Sequence, residues 1–299
     1  MGTDASERTA YFEADRSAEI VTDSFRGTAD PRLRQILGSL VQHLHAFVKD
    51  VDLTVEEWAT AIGFLTATGQ KCDGVRQEFI LLSDVLGASM LVESLANAAG
   101  GALTEATVEG PFHMIESPVR ELGDDINVSG EPGDPCLITG RVVDQDGAPV
   151  AGATVDVWQA NSRGFYDVQR PDEMPAGELR GLFTADADGR FHFRTIVPAH
   201  YPIPTDGPVG ELLRATGRHE FRPAHVHVEV TAPGHRTLTT HIFVQGSPYL
   251  TSDAVFGVKQ SLIVDFAVVD DAARAAAAGL PNPFRHAEFP IVLHREAGR

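Results

Sequence analysis

Arg222-Pro-Ala-His-Val-His-Val-Glu-Val230 is the stretch on which the reading of this chain turns. Valines at 226, 228 and 230 alternate with His225, His227 and Glu229. A period of two is the pattern of a strand with one buried face. In such a strand the two histidines project from the same face with roots about 6.5–7 Å apart, so both rings can reach one metal ion. Two surface histidines on a half-exposed strand would give the same pattern, and the stretch by itself leaves ligation open.

On either side of it the texture is the same. CLITGRVVD (136–144), ATVDVWQA (153–160), RFHFRTIV (190–197), HVHVEVTA (225–232) and TLTTHIFVQ (237–245) are short apolar alternations. They are separated by turn signals at Asp146-Gly147, Asp188-Gly189 and Pro233-Gly234. Regular strands so spaced predict an antiparallel β-sandwich or barrel, of which the sandwich is taken. Near the end, Asp270-Asp271 followed by Ala-rich sequence up to Gly279 and Pro281 predicts one short surface helix.

The first hundred residues read differently. Leu33, Ile36, Leu37, Leu40, Val41, Leu44, Phe47, Val48 and Val51 recur at helical spacing. A second helix starts at Thr54, where Thr54-Val-Glu-Glu57 predicts a capping box. A third is expected over 74–97, apolar on more than one face, with Gly100-Gly101 closing the helical part. Asp84 lies inside that apolar run, and a carboxylate there needs either a structural partner or a purpose. The fold class is therefore α+β: an N-terminal helical domain over 1–105 and a β-sandwich domain over 106–299.

Composition excludes several functions. The 24 Lys+Arg against 42 Asp+Glu leave a net charge of −18 over 299 residues, a field that repels nucleic acid and anionic membranes. No apolar run reaches the roughly 18 residues of a membrane span. Two distant cysteines, Cys72 and Cys136, fit a reducing compartment, and a cytoplasmic location is expected.

Further ligands for His225 and His227 must come from elsewhere, because neither the other histidines nor the cysteines form a comparable cluster. Tyrosine is the attractive source, with only four in the chain. Tyr11 lies in a polar stretch, while Tyr166 and Tyr201 sit in loops beside strands, in Arg163-Gly-Phe-Tyr166 and His200-Tyr201-Pro-Ile-Pro204. Two phenolates with two imidazoles favour a hard, highly charged ion such as Fe(III). Taken alone, either tyrosine reads more readily as a loop ring packed over the sheet edge than as a ligand.

The segments GRVVDQDGAPVAGATVDVWQAN (140–161), YPIPTDGPVG (201–210) and GRHEFRPAHVHVEV (217–230) resemble the intradiol aromatic-ring dioxygenases. The helical first third and β-rich remainder fit that family's layout, so the resemblance spans nearly the whole chain. It implies one non-haem Fe(III) per subunit held by Tyr166, Tyr201, His225 and His227. It implies that Tyr201 is the ligand released when substrate binds, that Arg222 stabilises charge developing on the ring, and that His241 adds a hydrogen bond behind the ligands. The substrate pocket would include Leu81, Asp84, Val108, Gly110 and Pro111, and on other segments Phe112, Ile203, Pro204 and Val255. Glu109 departs from the apolar residue expected beside them, and a carboxylate at the mouth would alter which ring substituents fit.

RQEFILLSDVLGASMLVESL (76–95) and Thr240-His241-Ile-Phe are most similar to the hydroxyquinol-cleaving branch. That implies cleavage of hydroxyquinol (benzene-1,2,4-triol) by O2 to 3-hydroxy-cis,cis-muconate or maleylacetate. A catechol or chlorocatechol dioxygenase is the alternative within the family, and a non-catalytic prealbumin-like binding module the alternative outside it. The resemblance also implies a homodimer through the N-terminal helices with a phospholipid in an apolar tunnel between them.

Overall fold

The computed structural model describes residues 11–74, 76–97, 103–110, 112–113 and 117–296. Gly100-Gly101 and Pro111, named above, lie outside these. The chain divides into two compact units, one ending at Thr66 and one beginning at Ala67.

In the first unit, α1 (Ser17–Asp23) runs beside α2 (Pro31–Asp50). Asp30 caps α2, its side chain accepting from the Arg32 N–H, and proline at the first turn is pre-set for the helical φ. α3 (Val55–Lys71) begins with the expected capping box. The Thr54 hydroxyl accepts from the Glu57 N–H, and Glu57 accepts in return from the Thr54 N–H at 2.9 Å.

The helix expected over 74–97 is two helices, α4 (Glu78–Val85) and α5 (Ala88–Ala96), bent by 78° at the break. Gly87 stands at φ +74°, a left-handed conformation that glycine adopts without steric cost and that ends a helix. Apolar periodicity alone carries through such a break. No single described helix is long and apolar enough to cross a membrane.

The rest of the second unit is built from β1 (Pro135–Asp144), β2 (Thr154–Gln159), β3 (Arg180–Thr184), β4 (Arg190–Ile196) and β5 (Tyr201–Pro202). After α6 (Pro208–Ala215) come β6 (Phe221–Arg222), β7 (His225–Thr231), β8 (Leu238–Val244), β9 (Ile263–Val264) and β10 (Ala267–Val269), then α7 (Ala272–Ala278) and β11 (Phe284–Leu293). One sheet has the order β10-β11-β1-β4 and the other β3-β2-β7-β8-β9. Ile138, Phe191, Phe193 and Phe289 of the first share a core with Val155, Val157, Val226, Val228 and Ile242 of the second. The two sheets thus form a sandwich, but not a purely antiparallel one: β1 pairs with β11, and β8 with β9, in parallel. Alternation reports which face of a strand is buried and says nothing of a partner's direction.

The predicted surface helix is α7, capped by Asp271 and ended by Gly279 at φ +64°. β3, β11 and α6 were not anticipated. Pro290 inside β11 argues against a central strand, but β10 pairs only with residues 284–286, so among the described residues no strand pairs with β11 at Pro290 on the flank opposite β1.

Candidate active site

The alternation in β7 sends Val226, Val228 and Val230 into the core and leaves His225 and His227 on the opposite face, each 1% exposed. Their Nε2 atoms converge to 3.1 Å. His225 Nδ1 donates to the Pro223 carbonyl at 2.7 Å, which leaves Nε2 with its lone pair free. His227 Nδ1 meets His241 Nε2 at 2.8 Å, and His241 Nδ1 meets the Thr107 hydroxyl at 2.8 Å. Donation outward along that chain likewise frees His227 Nε2. Burial holds all three imidazoles well below their usual pKa, with the Arg222 charge adding to the effect, so all are neutral.

Two loops bring phenols to the same point. Tyr166 Oη lies 3.1 Å from His227 Nε2, and Tyr201 Oη lies 3.3 Å from His225 Nε2. The rings meet edge-on at 5.2 Å. Gly164 permits this approach: at φ +82° a Cβ there would sit 2.8 Å from the His200 carbonyl and 3.1 Å from Tyr201 Cβ. Below Tyr166, Asp167 and Arg180 form a buried ion pair at 2.7 Å that fixes the start of the loop. Burial first, and then Tyr201, push the Tyr166 phenol well above its ordinary pKa. A buried phenol of that kind ionises only beside a strong cation, and two neutral imidazoles with two phenols are the hard N/O donor set that ferric iron takes. The residues fit Fe(III).

Arg222, 2% exposed, reaches within 3.3 Å of His225 Nε2. Asp253 orients it from behind, accepting from Nε at 3.2 Å and from Nη2 at 3.3 Å. Burial opposes the guanidinium charge, but Asp253 more than restores it, and the pKa is raised.

A small cavity opens on Tyr201 and Arg222, and its other walls are Leu81, Asp84, Val108, Gly110, Phe112, Ile203, Pro204 and Val255. Eight of the nine pocket residues named from sequence therefore meet at one place, and Pro111 lies outside the described residues. Gly110 is required by the backbone: at φ +81°, a Cβ would stand 3.0 Å from His227 Cε1. Asp84 is 5% exposed, and its Oδ1 has no hydrogen-bond partner among the described residues. Burial raises its pKa. Glu109 corrects an expectation. It does not line the cavity but pairs with His113 at 2.5 Å, while Val108, Gly110 and Phe112 line it.

Sequence reasoning missed the supports. Trp158 stacks on His227, Thr107 ends the imidazole chain, Asp253 aims Arg222, and Glu78 anchors α4. Glu78, fully buried, pairs with Arg76 at 2.6 Å and accepts from the Val209 N–H of α6, which sets Leu81 and Asp84 over the cavity. Only Trp158 left a signal, as the residue on the polar face of a strand next to Gln159.

A family model described as a dioxygenase matches residues 108–295, and one described as a catechol dioxygenase N terminus matches 30–103. A hydroxyquinol 1,2-dioxygenase of Rhizobium sp. (strain MTP-10005) is 52% identical over 286 residues, covering 95% of this chain and 97% of that protein. The crystal structure of hydroxyquinol 1,2-dioxygenase from Pseudomonas putida DLL-E4 superposes with a TM-score of 0.87 at 49% identity, covering 95% of this chain and 99% of that one. Catechol 1,2-dioxygenase from Acinetobacter radioresistens superposes with a TM-score of 0.80 at 31% identity, over 95% and 94% of the two chains.

Proposed function

The chain belongs to the intradiol ring-cleaving dioxygenases, and we propose that within them it cleaves hydroxyquinol with O2 to 3-hydroxy-cis,cis-muconate or maleylacetate. The observation that carries this reading is the buried Asp84, which walls the same cavity as Tyr201 and Arg222 and whose Oδ1 has no hydrogen-bond partner among the described residues. An apolar wall gains nothing from a third ring hydroxyl. A carboxylate acceptor does.

Tyr166, Tyr201, His225 and His227 would hold one Fe(III) per subunit. Such an ion would supply Lewis acidity toward a bound diol and would draw electron density from its ring. The protein does the rest. Tyr201 lines the cavity, and as a phenolate on such an ion it would accept a proton from the incoming diol and become a neutral phenol. Arg222, a fixed planar cation, stabilises negative charge spreading onto the ring. His241 holds the His227 ring in place through Nδ1. Val108, Phe112, Ile203 and Val255 exclude water, while Asp84 accepts from the third hydroxyl and sets the ring's orientation. Oxygen uptake with hydroxyquinol, catechol and chlorocatechols side by side tests the assignment, and a preference for catechol would reject it.

A homodimer through the N-terminal helices, with a phospholipid between them, belongs to the same proposal. Leu40, Leu44, Phe47 and Trp58 of α2 and α3 are each more than half exposed in the single chain, an apolar surface suited to a second copy or an acyl chain. The free thiols Cys72 and Cys136 support a cytoplasmic location.

A further inference from the structure

The face of the sheet that carries His227 continues beyond it. Asp156 and Glu229 are cross-strand partners one row farther along β2 and β7, on the same side as Trp158 and His227. Near that row lie Glu109 and His113. His113 Nδ1 is 2.5 Å from Glu109 Oε1, and Nε2 is 3.7 Å from Asp156 Oδ2. Glu109, His113 and Glu229 each bring one ligand atom within 4.8 Å of the others. A cavity of about 470 Å³ opens here, walled by His113, Asp156 and Glu229. Asp156 is 8% exposed, yet its Oδ1 has no hydrogen-bond partner among the described residues, and neither has His113 Nε2. Buried polar atoms left without partners are costly unless something charged compensates them.

We propose that this cluster is a second metal site, distinct from the tyrosine–histidine centre, which takes a divalent first-row ion such as Zn2+ through His113, Glu109 and Glu229, with Asp156 as a further oxygen donor. An imidazole among carboxylates favours Zn2+ over Mg2+, which avoids nitrogen. The net charge of −18 raises the local concentration of cations. Occupation ties Glu109 and His113 to the sheet, and these residues share a segment with Val108, Gly110 and Phe112 of the first cavity. Trp158 lies between the two centres, 4.7 Å from the His113 ring and 4.7 Å from that of His227. The second ion therefore stiffens the wall of the first cavity without touching its donors.

Calorimetric titration of the iron-loaded protein with Zn2+, with iron counted in the same samples by mass spectrometry, tests this. The expected result is one Zn2+ per chain in addition to iron. Glu109→Gln and His113→Asn should each weaken it at least tenfold while iron content stays constant, and Mg2+ should bind at least tenfold more weakly. Glu109 is half-exposed, so its variant folds even if the His113 variant does not. No saturable uptake below about 1 mM Zn2+ would overturn the proposal. So would unchanged affinity in Glu109→Gln, equal affinity for Mg2+, or Zn2+ that enters only as iron leaves.

Discussion

Trp158 lies flat against the imidazole of His227, ring centroids 4.7 Å apart and planes 10° from parallel. Side chains on paired positions of β2 and β7 have been turned into a brace for a metal-binding ring. Trp158→Ala removes the brace and leaves a cavity, at a cost of about 3–5 kcal/mol. The expected outcome is a lower melting temperature with reduced iron per chain, while Trp158→Phe, which keeps a flat ring, retains most of the iron.

His227→Ala should lose iron and activity together, because His227 Nε2 sits within 3.1 Å of both His225 Nε2 and Tyr166 Oη. Elemental analysis and the visible phenolate-to-iron absorption measure this. Full iron content in the variant would remove His227 from the donor set.

Asp84→Asn or Asp84→Ala should lower kcat/KM for hydroxyquinol roughly ten- to a hundred-fold more than for catechol, since a hydrogen bond to a charged acceptor contributes about 1.5–3 kcal/mol. Equal losses with both substrates, together with a lower melting temperature, would assign Asp84 to scaffolding.

Arg180→Ala strands the Asp167 carboxylate in the interior, where the pair is 1% and 2% exposed. Breaking such a pair from one side costs about 3–5 kcal/mol. Thermal unfolding should show that loss, and because Asp167 follows Tyr166, iron retention should fall with it. Arg180→Lys keeps the charge and restores part of both.

Acid should weaken the tie between Lys71, Arg76 and Asp206. Hydrogen bonds from Lys71 and then Arg76 hold the Asp206 carboxylate at about 2, below its ordinary 3.8. A depressed carboxylate stabilises the fold above its unfolded pKa, and that contribution disappears as pH falls through the folded value. Asp206→Asn should therefore melt slightly below the parent at neutral pH and converge with it near pH 2. Asp206 is largely exposed, so the gap is small and shrinks with added salt.

The β7 histidines and the capping box at Thr54 were legible because each is a local pattern: a period of two, or a hydroxyl and a carboxylate three apart. The pocket and metal residues were named through long family motifs, and eight of the nine pocket residues do face one cavity. What stayed hidden is what distant segments do to one another. Nothing near Asp253 announces that it aims Arg222, and nothing near Glu78 announces that it receives the Val209 N–H of α6. The break at Gly87 was hidden for the opposite reason, since an apolar run on both sides masked a single left-handed residue.

Because β7 gives its valines to the core and its histidines to the site, the two cannot drift apart in evolution. Inserting or deleting one residue in that strand would exchange the faces, burying imidazole in the sandwich and presenting valine to the metal. The donor set is thus inherited with the hydrophobic core, under the same selection for folding. Among the described residues, α4 and the segment around Val108, Gly110 and Phe112 carry no such double duty toward the sandwich core. Diversification of substrate range in descendants of this chain should run through those two segments, around a centre that the fold itself keeps fixed.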